Sequence, residues 1–199
     1  MNLQQFGPDI WIGDGPPVNV FGPFKLPTRM IVVKLSDGSL WINSPIEAST
    51  EEMQSVSQMG PIRYLVAPTP LHVWRLASWK ACFPSAELCG PKASGAAWAA
   101  DIDQVLFRGN AFIQELEFFH TRSNTLIFAD LIQNYRTWRG VPLDARLSFT
   151  RRDLARQSLS RILAWDFDKL IIAHGKCLDR DAKPFVERAF SWLRRKEDR

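Results

Sequence analysis

Three residues of this chain combine ligand chemistry with a place at the end of an expected strand. His72 lies a few residues beyond the apolar run Ile62–Ala67, Asp130 ends Thr125–Ala129, and His174 ends Lys169–Ala173. In layered α/β proteins sites gather just beyond the carboxyl ends of strands, where side chains reach a common rim. Neutral imidazole and carboxylate are good ligands for zinc, iron or manganese, and three protein ligands plus water make a catalytic mononuclear centre. A structural reading stands beside this one. In it His72 packs under Trp74, Asp130 accepts backbone N–H bonds at a strand end, and His174 precedes a turn.

Other groups have chemistry but a weaker placement. Arg75 would repel a cation near His72, yet would suit an anionic substrate group. Glu115 and Glu117 fall on one face of an expected strand and could be paired carboxylates, but read as a solvated face. Asp101 and Asp103 read as loop or capping residues, and Ser44 has no His or Asp near it in sequence. His120 sits by the turn Thr121–Asn124 and pairs with about Leu126, which sets Asp130 roughly 13 Å away at ~3.3 Å per residue. One metal ion cannot bind both, so His120 is expected to be a hydrogen-bonded hairpin residue. Trp74, Trp79 and Trp98 are candidates for a pocket lining or for core.

The elements that must carry these residues alternate. Ile10–Ile12 and Val18–Phe21 read as short strands broken at Gly13–Pro17, and Arg29–Leu35 and Leu40–Asn43 flank the turn Ser36–Ser39. Ser49 stands three residues before Glu52, the spacing of a capping box, and opens a helix to about Met59. A helix over Trp74–Phe83 follows Ile62–Ala67, then a strand at Ala86–Cys89. Strands are expected at Gln104–Arg108, Glu115–Phe119 and Thr125–Ala129, and Asn134–Ser148 is a long connection. Thr150 opens a helix to about Trp165, and Lys183–Arg195 is amphipathic, with Val186, Ala189, Phe190 and Leu193 as its stripe.

Composition bounds the rest. At 199 residues the chain is expected to be a single domain over residues 1–199. Net charge is +4, with basic groups in Arg151, Arg152, Arg156, Arg161 and the tail Arg194, Arg195, Lys196 and Arg199, which read as solvated helix faces rather than a nucleic-acid patch. Eight Trp and 13 Phe against two Tyr point to large apolar contacts in the core or at an interface, a homodimer included. The three cysteines, Cys82, Cys89 and Cys177, form no C-x-x-C pair and fit idle thiols in a reducing compartment. No apolar run approaches the ~20 residues of a membrane span, and Met1–Asp9 does not read as a signal peptide. The expectation is a cytoplasmic protein without a membrane partner. Dinucleotide, P-loop and α/β-hydrolase motifs are absent.

Four segments together carry a resemblance: Thr28–Pro45, Tyr64–Thr69, Ser123–Leu131 and Ile171–Gly175. In this order they resemble the metallo-β-lactamase superfamily, and more closely a domain-of-unknown-function branch of it. The resemblance implies a four-layered αββα sandwich. Active members hold one or two metal ions on an H-x-H-x-D-H motif, a later G-H, a bridging Asp and a final His before Gly, and a metal-activated water attacks an ester, amide, thioester or phosphoester. Carried over, Asp130 matches the bridging Asp and His174, before Gly175, the final His. The first motif falls on Thr69–Arg75, where in one register His72 takes the second His and Pro70, Trp74 and Arg75 take the places of the first His, the Asp and the third His, and in another His72 is the third His; the G-H falls on Gly109-Asn110. The implied metal set is thus His72, Asp130 and His174, holding one zinc, iron or manganese ion or none. Trp74, Arg75 and Asn110 are left as substrate-side candidates. The implied function is a metal-dependent hydrolase of small molecules. The alternatives are a metal-free binding module for an anionic ligand, through Arg75 or Arg136, and an interaction protein.

Overall fold

The computed structural model describes the chain except residues 22–23, 92–96, 113, 135–138 and 194–199, and the side chains at 19–24. Arg136, the basic tail and part of the Ala-rich stretch at 94–100 therefore lie outside the described residues. The chain forms two compact units, Met1–Asp101 and Ile102–Arg199.

The first unit is built on a six-stranded sheet in sequential order: β1 (Leu3–Gly7), β2 (Ile10–Phe21), β3 (Phe24–Lys34), β4 (Leu40–Asn43), β5 (Ile62–Val66) and β6 (Glu87–Cys89). The first four strands run antiparallel, while β4, β5 and β6 are parallel. Parallel neighbours need a crossover, and α1 (Thr50–Ser57) and α2 (Leu76–Cys82) supply the two. The expected break at Gly13–Pro17 does not end the strand. β2 runs through it with a register shift between Gly15 and Val18. β1 pairs with β2 only as far as Gly13, so Pro16 and Pro17 lack no ladder bond on that side.

α1 starts as the sequence indicates. Ser49 accepts from the Glu52 N–H at 3.3 Å, and Glu52 accepts from the Ser49 N–H at 2.9 Å. α1 and α2 cover one sheet face, where Met30, Val32, Leu40, Ile42 and Leu65 meet Met53, Val56 and Trp79. Trp79 also donates its indole N–H to the Ile46 carbonyl at 2.8 Å. The other face carries Ile31, Val33, Trp41, Tyr64 and Val66, all buried as well. Burial on both faces explains why these strands read as unbroken apolar runs.

The second unit has a four-stranded sheet, ordered β12-β9-β8-β7, from β7 (Ile102–Phe107), β8 (Glu115–His120), β9 (Thr125–Phe128) and β12 (Lys169–Ile172). A small ladder, β10 (Gln133–Asn134) with β11 (Arg139–Gly140), lies in the connection after β9. α3 (Leu143–Leu147), α4 (Arg152–Leu163) and α5 (Ala182–Ala189) complete it. α4 begins two residues later than Thr150, and no side chain caps it. The stripe Val186, Ala189, Phe190 and Leu193 is buried with Phe107, Phe128 and Ile172, as its spacing requires. β9 and β12 are parallel, with Ile172 opposite Phe128. That register sets the residues just beyond the two strands side by side.

The cysteines are all reduced. Burial, then the nearby Glu87 charge, pushes the Cys89 thiol up to about 11, so it stays protonated and inert.

Candidate metal centre

In the second unit the register of β9 and β12 makes the site. Asp130 lies two residues past Phe128 and His174 two past Ile172, at the carboxyl ends of adjacent parallel strands. Their side chains meet: His174 Nε2 is 3.0 Å from Asp130 Oδ1, with side chains only 8% and 14% exposed. Gly175 turns the chain away at φ +114, and the backbone returns along Asn134, whose carbonyl accepts from the Lys176 N–H at 3.1 Å. A Cβ on Gly175 would stand 2.5 Å from that carbonyl oxygen, so only glycine fits here.

The turn that carries Asp130 is held by a residue whose role the sequence reading missed. Glu115 on β8 is fully buried, and its carboxylate accepts the backbone N–H groups of Ala129 (2.7 Å), Asp130 (2.9 Å) and Leu131 (3.1 Å). Glu117, two residues on along the same strand, is also fully buried. The expected solvated face is thus overturned: this face of β8 packs into the core with Phe119. Burial, then the charge of Asp130, pushes the Glu115 carboxyl up to about 7. Burial, then the Glu115 charge, pushes Glu117 well above the ordinary carboxylate range. Neither Glu117 oxygen makes a geometrically sound hydrogen bond. Burial on both sides of this strand thus favours the protonated form of Glu117 over the charged one. Alternation of glutamate with apolar residues marks a strand with one wet face, and only the packing reveals that this one has none.

In the first unit His72 ends a 3-10 turn, Pro70–His72, just beyond β5. Thr69 builds that turn: its hydroxyl accepts from the Leu71 N–H at 3.0 Å and its carbonyl from the His72 N–H at 3.1 Å. The imidazole is fixed from the end of β4, where Ser44 Oγ lies 2.6 Å from His72 Nδ1. The Ser44 hydroxyl donates to Asn43 Oδ1 at 2.7 Å. Its one proton is thereby used, so His72 donates from Nδ1, and Nε2 is the nitrogen with the lone pair. Ser44 is nearly buried and holds φ +54, a strained value for a residue with a Cβ. Sequence distance hid this pair, since 28 residues separate its members.

The remaining candidates have other surroundings. Arg75 is ion-paired to Glu47 at 2.5 Å. Trp74 is 79% exposed, whereas Trp79 and Trp98 are core, Trp98 lying edge-on to Trp41 and Tyr64. Asn110 donates to Ser148 Oγ at 2.6 Å and accepts from the Phe112 N–H at 2.9 Å, which ties down its loop. Asp101 accepts from the Ser36 N–H and hydroxyl, a capping role as expected. His120 is a buried hairpin residue, opposite Thr125 and 2.7 Å from Ser123 Oγ. It sits at the opposite end of β9 from Asp130, as strand geometry required.

Among protein families, the model of DUF4336, a domain of unknown function, matches residues 18–94. No curated protein matches the chain. Solved structures align over almost all of it. A metal-soaked flavodiiron core from Synechocystis sp. PCC6803 superposes with a TM-score of 0.67 at 9% identity; 96% of this chain is covered, and it spans 60% of that longer chain. The NDM_FIM-1 like metallo-β-lactamase from Erythrobacter litoralis, in its mono-zinc form, gives 0.68 at 13% identity, covering 96% of this chain and 95% of that one. A fragment of a diflavin flavoprotein from Nostoc sp. PCC 7120 gives 0.66 at 8% identity, with 96% of each chain covered. No helix among the described residues is long and apolar enough to cross a membrane. With strand order, crossovers and full-length superposition in agreement, the chain is a metallo-β-lactamase-fold protein whose residues 18–94 match DUF4336.

Proposed function

We propose that this protein is a metal-dependent hydrolase with a mononuclear centre, in which His72, Asp130 and His174 hold one zinc, iron or manganese ion. The observation that carries the reading is the Asp130–His174 pair, an imidazole nitrogen and a carboxylate oxygen 3.0 Å apart at the ends of adjacent parallel strands. Two imidazoles and one carboxylate form a donor set that these ions accept. The Ser44 bond supports His72 as the third ligand, because it leaves the lone pair on Nε2 and fixes the ring. The mono-zinc form of the Erythrobacter litoralis metallo-β-lactamase supports a single ion on this fold.

A bound ion supplies Lewis acidity, which polarises a scissile carbonyl or phosphoryl oxygen and acidifies a water. The chain's own residues do the positioning. Ser44 orients His72, and exposed Trp74 offers an apolar surface two residues from His72.

Metal content of the natively purified protein tests the reading. About one ion per chain, lost in His72→Ala, Asp130→Ala and His174→Ala alike, is the expected result. A chain that stays metal-free after incubation with zinc, iron and manganese overturns it and leaves a binding module.

A further inference from the structure

We propose that Glu115 is a positioning residue for this centre: by accepting the backbone N–H groups of Ala129, Asp130 and Leu131, it fixes the turn beyond β9 and so the direction in which Asp130 presents its carboxylate to His174. The inference rests on the metal reading for its function, but on hydrogen-bond geometry for its substance.

The bonds are made where the sheet ladder stops. Carried beyond Phe118–Ile127, the register of β8 and β9 sets Glu115 opposite Asp130. The chain turns there, and three consecutive N–H groups inside the protein need acceptors. A carboxylate offers two oxygens with about four lone-pair directions, enough for all three donors. Oε1 takes Ala129, and Oε2 takes Asp130 and Leu131. Bonds from N–H to an ionised oxygen are about twice as strong as neutral ones, so the turn's donors favour the carboxylate form against the burial that opposes it. Glu117 provides the contrast. It is equally buried on the same strand face, yet bonds to nothing in the turn. Burial alone therefore does not define what Glu115 does.

The geometry also explains why an amide would not substitute. Glutamine has one acceptor oxygen, and in either orientation its NH₂ would face a backbone N–H of the turn. Glu115→Gln breaks at least one of the three bonds and sets donor against donor, with side-chain size unchanged.

The test compares metal-free wild type, E115Q and E117Q by amide hydrogen exchange and by the ring-nitrogen NMR signals of His174. In E115Q the amides of Ala129, Asp130 and Leu131 are expected to exchange at least about tenfold faster, while Leu126 and Ile127 keep their protection. The His174 Nε2 signal should move as its bond to Asp130 loosens, and E117Q should leave these signals in place. In a zinc titration E115Q should then bind about 10- to 100-fold more weakly, the loss typical when a group supporting a ligand is removed. If E115Q fails to fold, E115D keeps the charge but is one methylene too short, and the same three amides should lose protection first. Unchanged amides and His174 signals, or a uniform loss across the sheet, overturn the proposal. A wild-type chain that takes up no zinc sinks the metal reading alone, and the amide and ring signals still decide whether Glu115 sets Asp130.

Discussion

Ser44 and His72 are joined by a 2.6 Å contact between Oγ and Nδ1, at the ends of the neighbouring strands β4 and β5. A serine beside a histidine suggests a nucleophile and its base. The direction of the bonds argues otherwise. The hydroxyl proton goes to Asn43 Oδ1, so the histidine donates and cannot at the same time accept. Ser44 is thus expected to resist a serine-directed fluorophosphonate, while Ser44→Ala weakens zinc binding by about tenfold. Covalent labelling of Ser44, seen by intact mass, would make the serine a nucleophile and displace the metal reading.

Gly175 predicts a coupled loss of stability and site geometry. At φ +114, with the Asn134 carbonyl oxygen 2.5 Å from where a Cβ would be, alanine brings both backbone strain and a collision with backbone. Gly175→Ala should cost about 2 kcal/mol or more of unfolding free energy. Because His174 is the preceding residue, metal content should fall in the folded fraction as well. Urea unfolding with m unchanged would separate this from a change in the unfolded state.

Glu117 predicts a pH dependence of stability. Burial, then the Glu115 charge, raises its carboxyl above the value of 4.5 expected in the unfolded chain. Between the two values the folded state holds a proton that the unfolded state has lost. The folded state is therefore favoured below about pH 4.5 and loses ground as pH rises. Glu115, raised in the same direction to about 7, contributes the same sign. Glu117→Gln removes one titration. Its unfolding free energy relative to wild type should climb as pH rises above about 4.5. A difference that is flat across this range would mean that Glu117 does not stay protonated in the folded protein.

The sequence by itself determined where most of the elements lie. Local chemistry suffices for that: the Ser49–Glu52 box starts α1, the spacing of Val186, Ala189, Phe190 and Leu193 gives the buried side of α5 and of the 3-10 turn Ser191–Leu193 that follows it, where the sequence reads as one helix to Arg195, and the apolar runs at β4, β5, β9 and β12 mark strands covered on both faces. It also placed Asp130 and His174 at strand ends and kept His120 apart from them, because strand rise converts residue number into distance. What it could not reach depended on register and packing between segments far apart in the chain. The parallel pairing of β9 with β12 brings Asp130 to His174 across 44 residues, and that of β4 with β5 brings Ser44 to His72. The alternation of Glu115 and Glu117 with apolar neighbours has the pattern of a half-exposed strand, and nothing local distinguishes a face in water from one in the core. Only the tertiary structure decided that both glutamates are buried, and that one of them spends its charge on the turn that holds Asp130.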